Sequence, residues 1–208
     1  MATFALSIDV SGIEKLSAGL GNLTAEKIGA ALVVAINDSA DSAYALGRKT
    51  MLSGIKLTDT YVQSKMQVRH ATPSQPVATI TAFGGREFLT GLSHYGVLQL
   101  TQASRGVSRG SSKRGIAPGL KSAGLSVEVV SGAVKPLVHG FTMPGKKDKS
   151  GNPLVFARSK DGSFKARHGP SVYQLFRLAA GAIEDDVYAD FDARVAQSAQ
   201  LNFEKELA

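Results

Sequence analysis

The chain has 208 residues, 43% of them hydrophobic and 20% charged, with a net charge of +7. That is enough to bury one core, or one core with a large excursion, and too apolar for an intrinsically disordered segment. There is no cysteine, which excludes disulfides, thiolate metal sites and a cysteine nucleophile.

The opening residues, MATFALSIDVSG, carry no basic leader and no long apolar run, so no secretion signal is expected. Residues 4–10 alternate as a first strand. From Thr24 the pattern turns helical: Ile28, Leu32, Ile36, Ala40, Ala43 and Leu46 recur at steps of three and four. The Ala and Ser between them leave a face that admits close neighbours. Gly54 ends this helix, and Thr58 caps a short one reaching Met66. The longest apolar run, Ala30–Ile36, is far too short to span a membrane, which takes about 20 residues.

The middle of the chain reads as strands at 66–71, 76–83, 96–100, 125–130, 137–141 and 154–158, separated by glycine-rich breaks. Two loops interrupt them. Residues 103–124 alternate Ser and Gly with five basic residues and no acid, and 143–153 carries Lys146, Lys147 and Lys149. Neither has the apolar content to order itself. The last element opens at Ser171-x-x-Gln174, a capping box. It continues through Val172, Leu175, Phe176, Ala179, Ile183, Val187, Phe191 and Val195 as a helical stripe to about Phe203. The expected fold is α+β. A mixed or antiparallel sheet of five or six strands packs with a long N-terminal and a long C-terminal helix, in one domain over 1–208 with flexible basic insertions at 103–124 and 143–153.

Charge is unevenly placed. Residues 102–169 hold thirteen Lys and Arg against three acids, a balance of +10, so the rest of this +7 chain sums to −3. Residues 184–208 alone hold seven acids against Arg194 and Lys205. A basic pole meets polyanions, and opposite poles meet other copies.

Motifs for chemistry are decoys. GFTMPGKK (140–147) mimics a phosphate loop, but Lys147 replaces the magnesium-binding hydroxyl and no helix signal follows. His70, His94, His139 and His168 are scattered, none at the spacing of a helical zinc site. Glu184, Asp185, Asp186 and Asp190 lie off the apolar stripe of their helix and read as a solvated or subunit-facing surface. Ser53-x-x-Lys56 lacks its partner motifs. No enzyme, cofactor or metal is expected. Arg105, Arg109, Lys113, Arg114 and Lys121 lie in a loop without aromatic residues, suited to sequence-independent phosphate contact or a channel lumen. Around 156–167 two phenylalanines stand among four basic residues; Phe156 alternates with Val155 and is assigned to the core.

The order VFAR (155–158), a glycine-containing turn, Arg167 and GPSVYQLF (169–176) before a terminal amphipathic helix resembles the minor tail protein Z family of long-tailed phages. The Ala-rich helix ALVVAINDSADSAYALGRKT (31–50), the Tyr61 segment and the basic Ser/Gly insertion are similar to that family too. The resemblance implies a non-enzymatic tail completion protein in the virion neck, assembled in the host cytoplasm. It implies a homo-oligomeric, hexameric ring at the head-proximal end of the tail, needed for head–tail joining and positioning of the genome end. The implied partners are tail terminator, tail tube or head–tail stopper proteins, the tape-measure protein or the DNA end, with no membrane. Inter-subunit contacts are expected from Lys146, Lys147, Lys149, Arg158, Arg167, Asp185, Asp186 and Asp190. The alternative is a nonspecific DNA-binding protein acting through the basic region 103–167.

Overall fold

A computed structural model of the chain describes residues 2–8, 25–84, 89–105, 116–148 and 150–207. The fold is α+β, with helices and antiparallel strands both well represented. These residues fall into two compact units. The first comprises residues 1–51, 63–84 and 172–208, and the second 52–62 and 85–171. No helix among the described residues is long and apolar enough to cross a membrane.

In the first unit, strand β1 (Ala2–Ile8), helix α1 (Ala25–Gly54), strands β2 (Met66–Arg69) and β3 (Ala78–Gly84) and helix α3 (Val172–Leu207) supply the structure. The sheet runs β1-β3-β2, antiparallel throughout. Strict alternation on β3 buries Ala78, Ile80 and Ala82, and α3 lies against β3 and β1. Helix α1 turns Ala31, Leu32, Ala35, Ile36, Ala40 and Ala43 inward, the face its spacing predicts. Helix α3 buries Val172, Phe176, Ala179, Ala180, Ile183 and Val187. Gly47 shows why the small residues matter. A Cβ there would stand 3.0 Å from Ile183 Cδ1 and 3.2 Å from the Phe176 ring, so the helices come together because position 47 has no side chain.

The second unit begins with the chain leaving α1. Ile55 bridges Val130, the Lys56 amide donates to Val129 O at 2.9 Å, and the Ser131 amide donates to Gly54 O at 3.1 Å. The short helix α2 (Asp59–Gln63) follows, with the Tyr61 amide donating to Thr58 Oγ1 at 3.4 Å as a Thr cap should. Then come β4 (Thr90–Gly91), a 3-10 turn (Leu92–His94), β5 (Gly96–Ala103), β6 (Leu120–Glu128), β7 (Val134–Leu137), β8 (Gly140–Lys147), β9 (Pro153–Arg158), β10 (Phe164–Ala166) and β11 (His168–Gly169). Three ladders result, β5-β6-β7, β10-β9-β8 and β11-β4. Leu92, Tyr95, Leu125, Val127 and Val155 form the core, with Ile55, Leu57, Val97, Val129 and Leu137 around it.

The expected single sheet of five or six strands is therefore wrong: the described strands form four small sheets. β3, β6 and β9 are the strands with the clearest signals, and each is the middle strand of its own three-stranded sheet; among the described residues no ladder joins the outer strands of one sheet to those of another. The β5–β6 ladder also carries a bulge. Ala123 is the extra residue opposite the Leu100/Thr101 step, and Gly124 beside it takes φ +105° with the Val138 carbonyl where its Cβ would be.

The expected loops also change. Residues 143–153 are mainly the β8–β9 hairpin, and the insertion at 103–124 narrows because β6 already runs from Leu120. Its tip, 106–115, lies outside the described residues.

The Asn37 side chain makes two hydrogen bonds to one backbone site: its Nδ2 donates to Ala71 O at 3.2 Å, and the buried Ala71 amide donates to its Oδ1 at 2.7 Å. Asn37→Ala leaves both backbone groups unpaired. It should lower stability by about 1–3 kcal/mol, read as a lower urea midpoint at unchanged slope.

Candidate functional site

Seven Lys and Arg fall between residues 146 and 167, along the β8–β9–β10 sheet and its turns, and a polar network fixes that sheet to the segment Thr90–Tyr95. The β8–β9 turn is built on Asp148. Its amide donates to Asn152 O at 2.9 Å and its carbonyl accepts from the Gly151 amide at 3.1 Å. Its carboxylate Oδ1 accepts from the Ser150 and Asn152 amides, both at 2.9 Å. One aspartate thus orders a turn whose Lys, Ser and Gly content has no order of its own.

The other carboxylate oxygen faces a histidine. Asp148 Oδ2 lies 2.7 Å from His94 Nε2. The Asn152 amide nitrogen, which can only donate, stands 3.4 Å from His94 Nδ1. That assigns the proton of a neutral ring to Nε2, the nitrogen facing the carboxylate. The His94 ring lies 4.0 Å from the Tyr61 ring at 31°, and the Tyr61 hydroxyl donates to Thr90 Oγ1 at 3.3 Å.

Burial pushes the Asp148 carboxyl upward. The Asn152 amide, the His94 ring and the Ser150 amide together outweigh it and hold the group below the ordinary carboxylate value. Burial pushes the Tyr61 hydroxyl up against its bond to Thr90, and the Asp148 charge adds to the rise. The Tyr95 hydroxyl is pushed well above its ordinary value, first by burial. It donates to Pro170 O at 2.5 Å. Its ring lies 2.4 Å from where a Gly169 Cβ would stand, so that position has room for glycine alone.

The sequence-predicted residues are placed as follows. Arg105 and Lys121 are exposed beside β5 and on β6, while Arg109, Lys113, Arg114 and Lys149 lie outside the described residues. Lys146, Lys147, Arg158 and Arg167 are exposed on or next to the hairpin strands, and the Arg158 guanidinium sits 5.0 Å over the Phe164 ring. Asp185 and Asp186 are exposed on α3; Asp190 is on the same helix, its side chain outside the described residues.

GFTMPGKK belongs to strand β8, with a bulge in its middle: residues 143–146 stand between the pairs Thr142–Val155 and Lys147–Pro153, and Gly145 takes φ +83°. The assignment of Phe156 to the core is corrected. Alternation sends Val155 inward and Phe156 to the opposite face, where it is only partly covered. Two of the scattered histidines each meet an aspartate: His70 Nε2 lies 2.9 Å from Asp41 Oδ1, exposed in the first unit, and His94, its side chain 10% exposed, lies against Asp148. No sequence signal announced the second pair, because partners so far apart in the chain meet only through the fold. Among the described residues no three His, Asp or Glu side chains cluster as metal ligands.

Comparison with protein-family models, with curated proteins and with solved structures finds no match to this chain.

Because the folded carboxyl of Asp148 titrates below its unfolded value of about 3.9, the stability it contributes is complete above that pH and lost as pH falls through the folded value. Hydrogen-exchange protection of the Ser150 and Asn152 amides should hold from neutral pH to about 4 and collapse below it. Asp148→Ala should remove that protection at every pH and cost about 1.5–3 kcal/mol by chemical denaturation.

Proposed function

We propose that this chain is a structural protein of a phage tail, of the tail completion class that minor tail protein Z represents. In this reading copies close into a ring, six-membered like the tail itself, at the head-proximal end, and act by contact rather than by turnover. The neighbours are the terminator, tube or stopper proteins of the neck and the end of the packaged DNA.

The observation that carries the reading is the outward face of β5-β6-β7. Cross-strand register puts Leu98, Ser126 and Pro136 in one row and Gly96, Glu128 and Val134 in the next, on the side away from core residues Val97, Leu125 and Val127. Leu98 is 70% exposed and Val134 59%, and exposed Val138 follows in the adjoining turn. Leu98 on β5 and Val134 and Pro136 on β7 flank Ser126 and Glu128 of β6, and exposed apolar side chains gathered this way around a polar centre are what another protein surface covers. Two further features support it. Exposed acids on α3 and exposed cations on the hairpin strands give unlike charges for copies to pair. Two residues of the tail-protein resemblance, Gly169 and Pro170, also form the tight contact with Tyr95 inside the second unit.

The runner-up, a DNA-binding protein acting through 103–167, is favoured by one fact. Both aspartates of the hairpin region are engaged within their own turns, Asp148 as described and Asp161 with the Ser163 amide and hydroxyl. The neighbouring cations are left to an outside anion.

Native mass spectrometry and negative-stain microscopy of the full chain test the assembly. The wild type should form closed particles of one size. Leu98→Lys with Val134→Lys should weaken assembly by roughly tenfold or more without changing the circular dichroism spectrum, since burying like charges across an interface costs several kcal/mol. Charge reversal at Asp185 and Asp186 should weaken it as well. A wild-type protein that stays monomeric at every concentration and in the presence of tail tubes sinks the reading.

A further inference from the structure

The β8–β9–β10 sheet carries an aromatic surface that the ring reading does not use. On β9, Val155 and Ala157 are buried, so Phe156 and Arg158 project from the opposite face. Register sets Phe141 and Ala166 beside Phe156, and Phe164 beside Arg158, on that same face. The rings touch. Phe141 and Phe156 stack with centroids 6.0 Å apart at 24°, and Phe164 meets Phe141 edge-on at 5.2 Å and 79°. Phe164 is 49% exposed, with the Arg158 guanidinium 5.0 Å above its ring. Phenylalanine is normally among the most buried residue types, so three in one cluster on an outer sheet face call for a ligand with flat apolar surface.

Charge says what else that ligand carries. Residues 137–168 hold seven Lys and Arg against two aspartates. Asp148 and Asp161 are the two, and both are tied into turns. Lys146, Lys147, Lys160, Lys165 and Arg167 are exposed, and among the described residues none of them pairs with a carboxylate. Register places Lys147, Lys165 and Arg167 opposite Pro153, Ala157 and Val155, on the other side of the sheet, so Arg158 is the cation set among the rings and Lys160 follows in the adjoining turn. An aromatic face with a cation on it and others along its rim matches a polymer of planar rings on an anionic backbone.

We propose that the outer face of the β8–β9–β10 sheet is a binding site for single-stranded nucleic acid. Bases stack on Phe164 and its neighbours, Arg158 contributes through both its charge and its planar guanidinium, and cations at the rim of the sheet such as Lys160 neutralise phosphates. Stacking of this kind has no sequence preference, because every base offers a π face. It does prefer single strands, since a duplex keeps its bases stacked on each other. An acidic polypeptide would satisfy the cations but makes no use of three phenyl rings. The assignment rests on this face alone and not on ring formation.

Fluorescence anisotropy of the full chain with a labelled oligothymidylate, its duplex and polyglutamate as competitor is the test. The single strand should bind roughly tenfold or more tighter than the duplex at equal salt, and Phe164→Ala should remove about that factor for the single strand while leaving duplex binding unchanged. Phe164→Tyr should retain affinity and Phe164→Leu should lose it, a comparison that holds even if the alanine variant folds poorly. Arg158→Gln should weaken binding and flatten its salt dependence. Equal affinity for duplex and single strand, no effect at Phe164, or displacement by polyglutamate as readily as by oligonucleotide would each overturn the proposal. So would Phe164→Ala altering only the oligomeric state, which would make this face a subunit interface.

Discussion

Six residues, Thr90–Tyr95, hold the second unit together, because each end of that short segment reaches a different part of the chain. Thr90 pairs with β11 and accepts the Tyr61 hydroxyl. The Leu92 amide donates to Arg167 O, and His94 meets Asp148 at the β8–β9 turn. Tyr95 joins the apolar core while its hydroxyl grips Pro170 O. The hairpin, the short helix α2 and the Gly169–Pro170 segment all take their positions within the second unit from it. A buried polar network of this kind is costly when incomplete, which makes one arrangement far better than its neighbours.

That constraint has a consequence for the surfaces. Small three-stranded sheets bury one face each on a shared core and leave the other to solvent. On β5-β6-β7 the exposed face is aliphatic, with Leu98, Val134 and Pro136; on β8–β9–β10 it is aromatic and cationic, with Phe141, Phe156, Phe164 and Arg158. Two chemically different faces on one compact unit suit two different partners. An aliphatic face favours another protein surface, and a cationic aromatic one favours a nucleic acid. The Asp148 turn matters to the second because it fixes one end of the β8–β9 hairpin while removing an acid from the cationic surface.

Long-period signals in the sequence were dependable. The helical stripes of 28–46 and 172–195 located α1 and α3 almost to the residue, because an amphipathic helix repeats its pattern over many turns. The short strands were located only in part: 137–141 straddles the turn between β7 and β8, and β4, β10 and β11 were not expected. The Thr58 and Ser171 caps stand where their helices begin, but the helix after Thr58 ends at Gln63 rather than Met66. Phe156 shows the limit of this reading: alternation with Val155 was visible, but which of the two faced the core was not. Both are apolar, so the pattern is symmetric to a one-residue exchange of faces.

The sequence by itself therefore determined the α+β composition, the two long helices, the position of most strands and the segregation of charge, all of which depend on neighbours within a few residues. Only the tertiary structure decided how strands partner, that β3, β6 and β9 each centre a separate sheet, and that His94 finds Asp148. It also decided that three phenylalanines from three strands share one outer face. Those outcomes turn on contacts between residues distant in the chain. Their energies come from a shared core and completed hydrogen bonds, and no local propensity encodes them.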